Sequence, residues 1–117
     1  MSGHAVDENC FAERLASAWS IETSSLWTAE NPARGQCGVT SLVVHDFFNG
    51  SILKTLLPEG PHFYNFVEGR RLDFTSGQFN EPICYQDLPS DRREAMADTS
   101  PAQYRALRRR LGLPVKV

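Results

Sequence analysis

No CxxC pair occurs in this chain, and cysteine is scarce. Cys10, Cys37 and Cys84 are odd in number and widely spaced. That pattern excludes a disulfide framework and a zinc knuckle and leaves free thiols as the expectation. Long apolar runs are missing too, since none approaches the ~20 residues that a membrane helix needs. The N-terminal MSGHAVDENC has neither the basic start nor the apolar centre of a signal peptide. The expected location is therefore a reducing cytoplasm. Nor is there a surplus of charge. The formal net charge is -2, and the only basic cluster is Arg108-Arg109-Arg110. This balance gives no general pull toward nucleic acid or an anionic membrane. Repeats, linkers and low-complexity segments are likewise absent.

What is present fits one domain spanning 1–117, with 1–6 expected to be disordered. The 117 residues, 41% hydrophobic and 22% charged, suffice for a single core without crosslinks. Phe11, Leu15 and Trp19 recur at helical spacing and predict a first helix from Asp7 to about Ser20. A loop follows from Ile21 to Arg34, anchored by Trp27 and broken by Pro32. A second helix should open near Gln36 or Cys37. The β-branched VTSLVV invites a strand, but the length of the apolar stretch and its end at Asn49-Gly50 favour a helix. The period then changes to two. SILKTLL (Ser51 to Leu57), HFYNFV (His62 to Val67) and RRLDFT (Arg70 to Thr75) predict three strands, the last two joined at Glu68-Gly69. Ser76 to Ser90 reads as loop, with one short edge strand around Ile83 to Tyr85. Asp91 to Ala97 suits a short helix. In SPAQ, Ser100 is an N-cap, Pro101 the first helical position and Gln103 the capping-box partner of a last helix that Gly112 and Pro114 end. The class is α+β: a Cys-bearing helix packed on a small antiparallel sheet, with N- and C-terminal helices.

Cys37 falls where loop becomes helix. Unpaired N–H groups and the partial positive charge of a helix N-terminus stabilise a thiolate, and Gly35 and Gly38 keep its surroundings small. Such a nucleophile needs a base, and the base an orienting partner. His4 lies in the N-terminal tail. His45 is eight residues along the same helix, ~12 Å away in rise, and cannot reach Cys37. His62 can, and Asp73 on the neighbouring strand is placed to orient it. The plain alternatives are a buried packing role for Cys37, an edge-strand role for His62, and pairing of Asp73 with Arg70 or Arg71.

GQCGVTSLV followed by HFYNFV and RRLDFT resembles the core of transglutaminase-like and papain-like cysteine enzymes. More closely, NPARGQCGVTSLVVHDFFNG with GPHFYNFVEGRRLDFTSGQF resembles the YunG family of small bacterial proteins. That resemblance covers the chain from about Trp19 to the last helix. The wider group implies Cys37 as nucleophile, His62 as base and Asp73 as orienter. In papain-like enzymes an oxyanion-binding Gln lies several residues before the Cys, and here Gln36 adjoins it. The oxyanion donor therefore stays open among the Cys37 backbone N–H, Gln36 and the loop from Thr28 to Asn31. Gln78 and Trp27 are further cleft candidates. The expected activity is a cysteine hydrolase or acyltransferase acting on an amide or thioester of a peptide, protein or small molecule, with no cofactor. The competing expectation is a non-catalytic peptide- or protein-binding module on the same fold. A metal site formed by Cys37, His62 and Asp73 ranks last.

Overall fold

The structure is a computed structural model and describes residues 4–112. Four α-helices accompany a four-stranded antiparallel sheet: α1 (His4–Ala18), α2 (Cys37–Phe48), β1 (Ser51–Leu57), β2 (Gly60–Val67), β3 (Arg70–Leu72), β4 (Leu88–Ser90), α3 (Arg92–Ala97) and α4 (Pro101–Arg110). The strand order is β3-β2-β1-β4. The α+β class and the Cys-bearing helix on the sheet follow the sequence pattern.

Helix α2 is the centre of the molecule. Every residue from Cys37 to Val44 is buried, as is Phe48. It packs on β2 and β1 on one side and on α3 and α4 on the other. Leu42, Val43 and Val44 are fully inaccessible, each stabilising the fold by roughly 1.5–3 kcal/mol. A helix buried on all sides explains why VTSLVV has so little polar alternation. Asn49 and Gly50, both at positive φ, stop it and turn the chain into β1.

Several boundaries differ from expectation, among them the end of α1 at Ala18 rather than about Ser20 and the start of β2 at Gly60 rather than His62. Helix α1 begins at His4, so only 1–3 of the tail expected to be disordered lie outside the described residues. Strand β3 ends at Leu72 because the Asp73 side chain accepts the Thr75 N–H and turns the backbone out of the sheet. The edge strand is Leu88–Ser90, not Ile83 to Tyr85, with Ile52 opposite Ser90 and Lys54 opposite Leu88. Its Pro89 is tolerable because β4 pairs on one side only. Helix α4 is capped as predicted, Ser100 accepting the Gln103 N–H and Pro101 opening the helix. Gly112 follows it, and Pro114 lies outside the described residues.

The two faces of β2 have different tasks. Phe63 and Val67 enter the hydrophobic core, and Asn65 donates to the Ser41 carbonyl of α2. His62 and Tyr64 take the other face. The segment after β3 covers them: Phe79 stands edge-on to His62 and Tyr85 edge-on to Tyr64. Among the described residues no helix is long and apolar enough to cross a membrane.

Candidate functional site

Where the N-terminus of α2, the start of β2 and the α3–α4 junction meet, the surface opens into a cavity of about 440 Å³. Cys37, His62, Asp98, Gln78, Asn31 and Arg34 are among the residues that line it.

His62 is 2% exposed, and its Nε2 lies 2.7 Å from Asp73 Oδ2. Tyr85 also donates to Oδ2, at 2.8 Å. Thr75 gives its N–H and hydroxyl to Oδ1, each at 3.2 Å. Four donors thus converge on one carboxylate, which can only accept. The shared hydrogen therefore sits on His62 Nε2, and in the neutral imidazole Nδ1 carries the lone pair. Nδ1 is buried and without a hydrogen-bond partner. The register places Asn65 opposite Leu72, so Asp73 follows diagonally from His62 on the same face. Arg70 and Arg71, the competing partners for Asp73, pair instead with Glu8 and Asp87.

Cys37 is the first residue of α2 and is 8% exposed. Its thiol does not bond His62. Sγ donates to Asp98 Oδ2 at 3.6 Å. Burial, and next the Asp98 charge, push the thiol up to about 12, against a hydrogen bond from the Phe63 backbone that acts in the opposite sense. The helix N-terminus does not outweigh burial, so the depressed thiol expected at this position is corrected: in this arrangement Cys37 holds its proton. The expected nucleophile–base–orienter chain is correspondingly split into a His62–Asp73 pair and a Cys37–Asp98 pair around one cavity.

Asp98 was invisible to sequence reasoning, because 61 residues and two helices separate it from Cys37. One local signal existed. It ends α3, where an acidic side chain opposes the helix dipole. Although the residue reaches solvent, crowding around its carboxyl group raises its pKa; hydrogen bonds from Cys37 and the Gly38 N–H and the nearby His62 work the other way. Gly38 explains itself here. A Cβ on it would lie 2.6 Å from Asp98 Oδ2 and 2.9 Å from the Ala95 carbonyl, so only glycine lets the end of α3 close on α2.

The remaining candidates divide. Gln36 is fully buried and turned inward, its Oε1 accepting from Thr23 at 2.8 Å. It is not among the residues that line the cavity, and its Nε2 is buried without a partner. Trp27 packs against the core cluster and is likewise not a lining residue. Gln78 and Asn31 line the cavity as ties between loops. Gln78 accepts the Gly35 N–H at 3.3 Å and donates to Thr75, while Asn31 donates to the Gln78 carbonyl. Gly35 has φ +73°, and a Cβ there would lie 2.4 Å from Ser24 Oγ, so this tie fixes a backbone that only glycine adopts without strain. The Cys37 N–H, at the first helical position, is a donor that the helix itself does not use. Cys10 and Cys84 are free, as expected, and exposed.

A family model described as YunG protein matches residues 7–114. The uncharacterized protein YunG of Bacillus subtilis (strain 168) is 53% identical over 94 residues, covering 80% of this chain and 82% of that protein. No solved structure matches the chain. On the reach of the model and the identity to the Bacillus protein, the chain belongs to the YunG family.

Proposed function

We propose that this protein is a cysteine-dependent hydrolase or acyltransferase acting on an amide or thioester, with the papain- and transglutaminase-like order of Cys37 as nucleophile, His62 as base and Asp73 as orienter. One observation carries the reading. His62 is buried with Nε2 committed to Asp73 and Nδ1 unpartnered, and it lines the same cavity as the thiol of Cys37. A buried ring nitrogen without a partner costs stability, and such a cost is characteristic of sites kept for chemistry.

Because the thiol is protonated at rest, the reaction starts by general-base catalysis rather than from a standing thiolate. His62 Nδ1 takes the Sγ proton as Sγ bonds to the substrate carbonyl carbon. The oxyanion formed is placed to accept the Cys37 N–H. Collapse breaks the bond to the leaving nitrogen or sulfur, which takes the proton from His62 Nδ1. Water, or an acceptor amine or thiol, then gives its proton to Nδ1 and attacks the acyl-Cys37. His62 returns that proton to Sγ. Asp73 holds the ring and stabilises the imidazolium at each proton transfer. The three free cysteines suit a reducing cytoplasm, the location we assign.

The test is intact-mass detection of acyl-Cys37 after incubation with acetyl and glycyl thioesters of N-acetylcysteamine. Acylation should occur at Cys37 and slow by about 10²-fold or more in His62→Ala. Acylation that His62→Ala leaves unchanged, or none with either probe, would favour the binding-module reading.

A further inference from the structure

The thiol's partner is not the base that the proposed reaction needs. Cys37 Sγ donates to Asp98 Oδ2 at 3.6 Å, while Nδ1 of His62, a residue that lines the same cavity, is buried without a partner. Asp98 closes on the α2 N-terminus because position 38 carries no side chain: a Cβ there would lie 2.6 Å from its Oδ2. In this arrangement the thiol gives its hydrogen to Asp98 and not to His62.

Resting on the hydrolase or acyltransferase reading above, we propose that Asp98 is a positioning residue that holds the Cys37 thiol away from His62, and that the substrate which releases it is an acyl group carrying an ammonium or N–H donor beside the scissile carbonyl. The logic is replacement. A carboxylate lining a cavity prefers an ammonium to a thiol, since the ammonium adds the attraction of a full opposite charge and a thiol is a weak donor. When an α-ammonium group takes the Asp98 carboxylate, Sγ–H loses its acceptor and turns to the remaining one, His62 Nδ1. The same ammonium offsets the negative charge that discourages ionisation of the thiol. A neutral acyl group without a donor leaves Asp98 on the thiol and reacts slowly. Neither bond making nor oxidation occurs in this step; one hydrogen bond replaces another. Specificity thus acts on activation of the nucleophile as well as on binding.

The experiment measures Cys37 acylation by the acetyl and glycyl thioesters, each rate divided by that of free cysteine under the same conditions. The intact protein is compared with Asp98→Asn, Asp98→Ser and His62→Ala. The wild type should prefer the glycyl probe by about tenfold, the equivalent of one pKa unit on the thiol. Both Asp98 variants should raise the acetyl rate about tenfold and abolish the preference. Asp98 reaches solvent, and two variants of different size guard against a folding defect in one. Equal normalised rates for the two probes in the wild type would overturn the proposal, as would an acetyl rate unmoved by either substitution. His62→Ala separates the two ideas. If it slows both probes, base and gate stand together. If it changes neither while the Asp98 variants behave as described, the hold on the thiol stands and His62 loses its role as base.

Discussion

At the C-terminal end of α2, Asp46 meets Arg92 Nη1 at 3.0 Å, Arg108 Nη1 at 2.8 Å and the Tyr104 hydroxyl at 2.5 Å. Arg92 also reaches the Leu42 carbonyl and His45 Nδ1, placing cationic charge where helix carbonyls end. At the N-terminal end of the same helix, a thiol donates to a crowded carboxylate, and a cavity-lining imidazole keeps a buried nitrogen with no partner. Both ends bury titratable groups beneath the same two C-terminal helices. One end completes its hydrogen bonds and joins α2, α3 and α4. The other leaves acceptors and donors in an arrangement that a bound molecule could improve. The difference distinguishes polar groups kept for architecture from polar groups kept for chemistry, since unfilled hydrogen-bonding capacity is costly in a fold and useful in a site.

The largest stability effect should come from breaking the architectural end. Asp46→Ala removes the carboxylate on which two guanidinium groups and a phenol converge, with Asp46 and Arg108 both nearly inaccessible. A loss of about 3–5 kcal/mol is expected, read by urea denaturation, with Cys37 acylation retained in whatever protein stays folded. Cys37→Ala should do the reverse, abolishing acylation while changing stability by about 1 kcal/mol or less. Similar stability losses in the two variants would erase the contrast between the ends.

These two ends were unequally legible in the sequence. Helix α2, β1 and the cap of α4 follow from local rules: an apolar run stopped at Asn49-Gly50, a short run SILKTLL bounded by Gly50 and Pro58, and Ser100-Pro101. His62 and Asp73 were legible as a pair because a hairpin fixes which residues of its strands lie close. The partner of Cys37 was not, because it depends on how the α3–α4 junction lands on α2, and nothing local encodes that docking. The inward turn of Gln36 toward Thr23 escaped for the same reason. So did β4, where Ile83 to Tyr85 offered the better strand composition and the chain used LPS instead, because pairing on β1 rather than propensity decides an edge.

An intermediate effect should follow from the glycine that joins the two pairs of residues at the N-terminal end. In Gly38→Ala the new methyl must displace both Asp98 and the Ala95 carbonyl. The gain in helix propensity, up to ~1 kcal/mol, does not offset overpacking of about 1–3 kcal/mol. A net loss of stability is expected in thermal melts. A variant as stable as the wild type would mean that the end of α3 yields freely, and that its closeness to α2 is not a constraint on the site.

The smallest effect is the most discriminating, because its sign opposes the usual consequence of mutation. Asp98 binds its proton more tightly in the folded protein than in the unfolded chain, burial being the leading cause. Its contribution to stability is therefore full below the ordinary carboxylate value of ~3.9 and declines as pH rises through the higher folded value. Asp98→Asn removes that decline and also relieves an acidic group at the end of α3. The difference in melting temperature, variant minus wild type, should become more positive between pH 4 and pH 7. Architectural carboxylates behave oppositely: Asp87, whose pKa is lowered chiefly by Arg71, stabilises more as pH rises above ~3.9 and loses that contribution as pH falls. If the Asp98→Asn difference instead turned more negative toward neutral pH, Asp98 would be another supporting carboxylate like Asp46, and the contrast between the two ends of α2 would collapse.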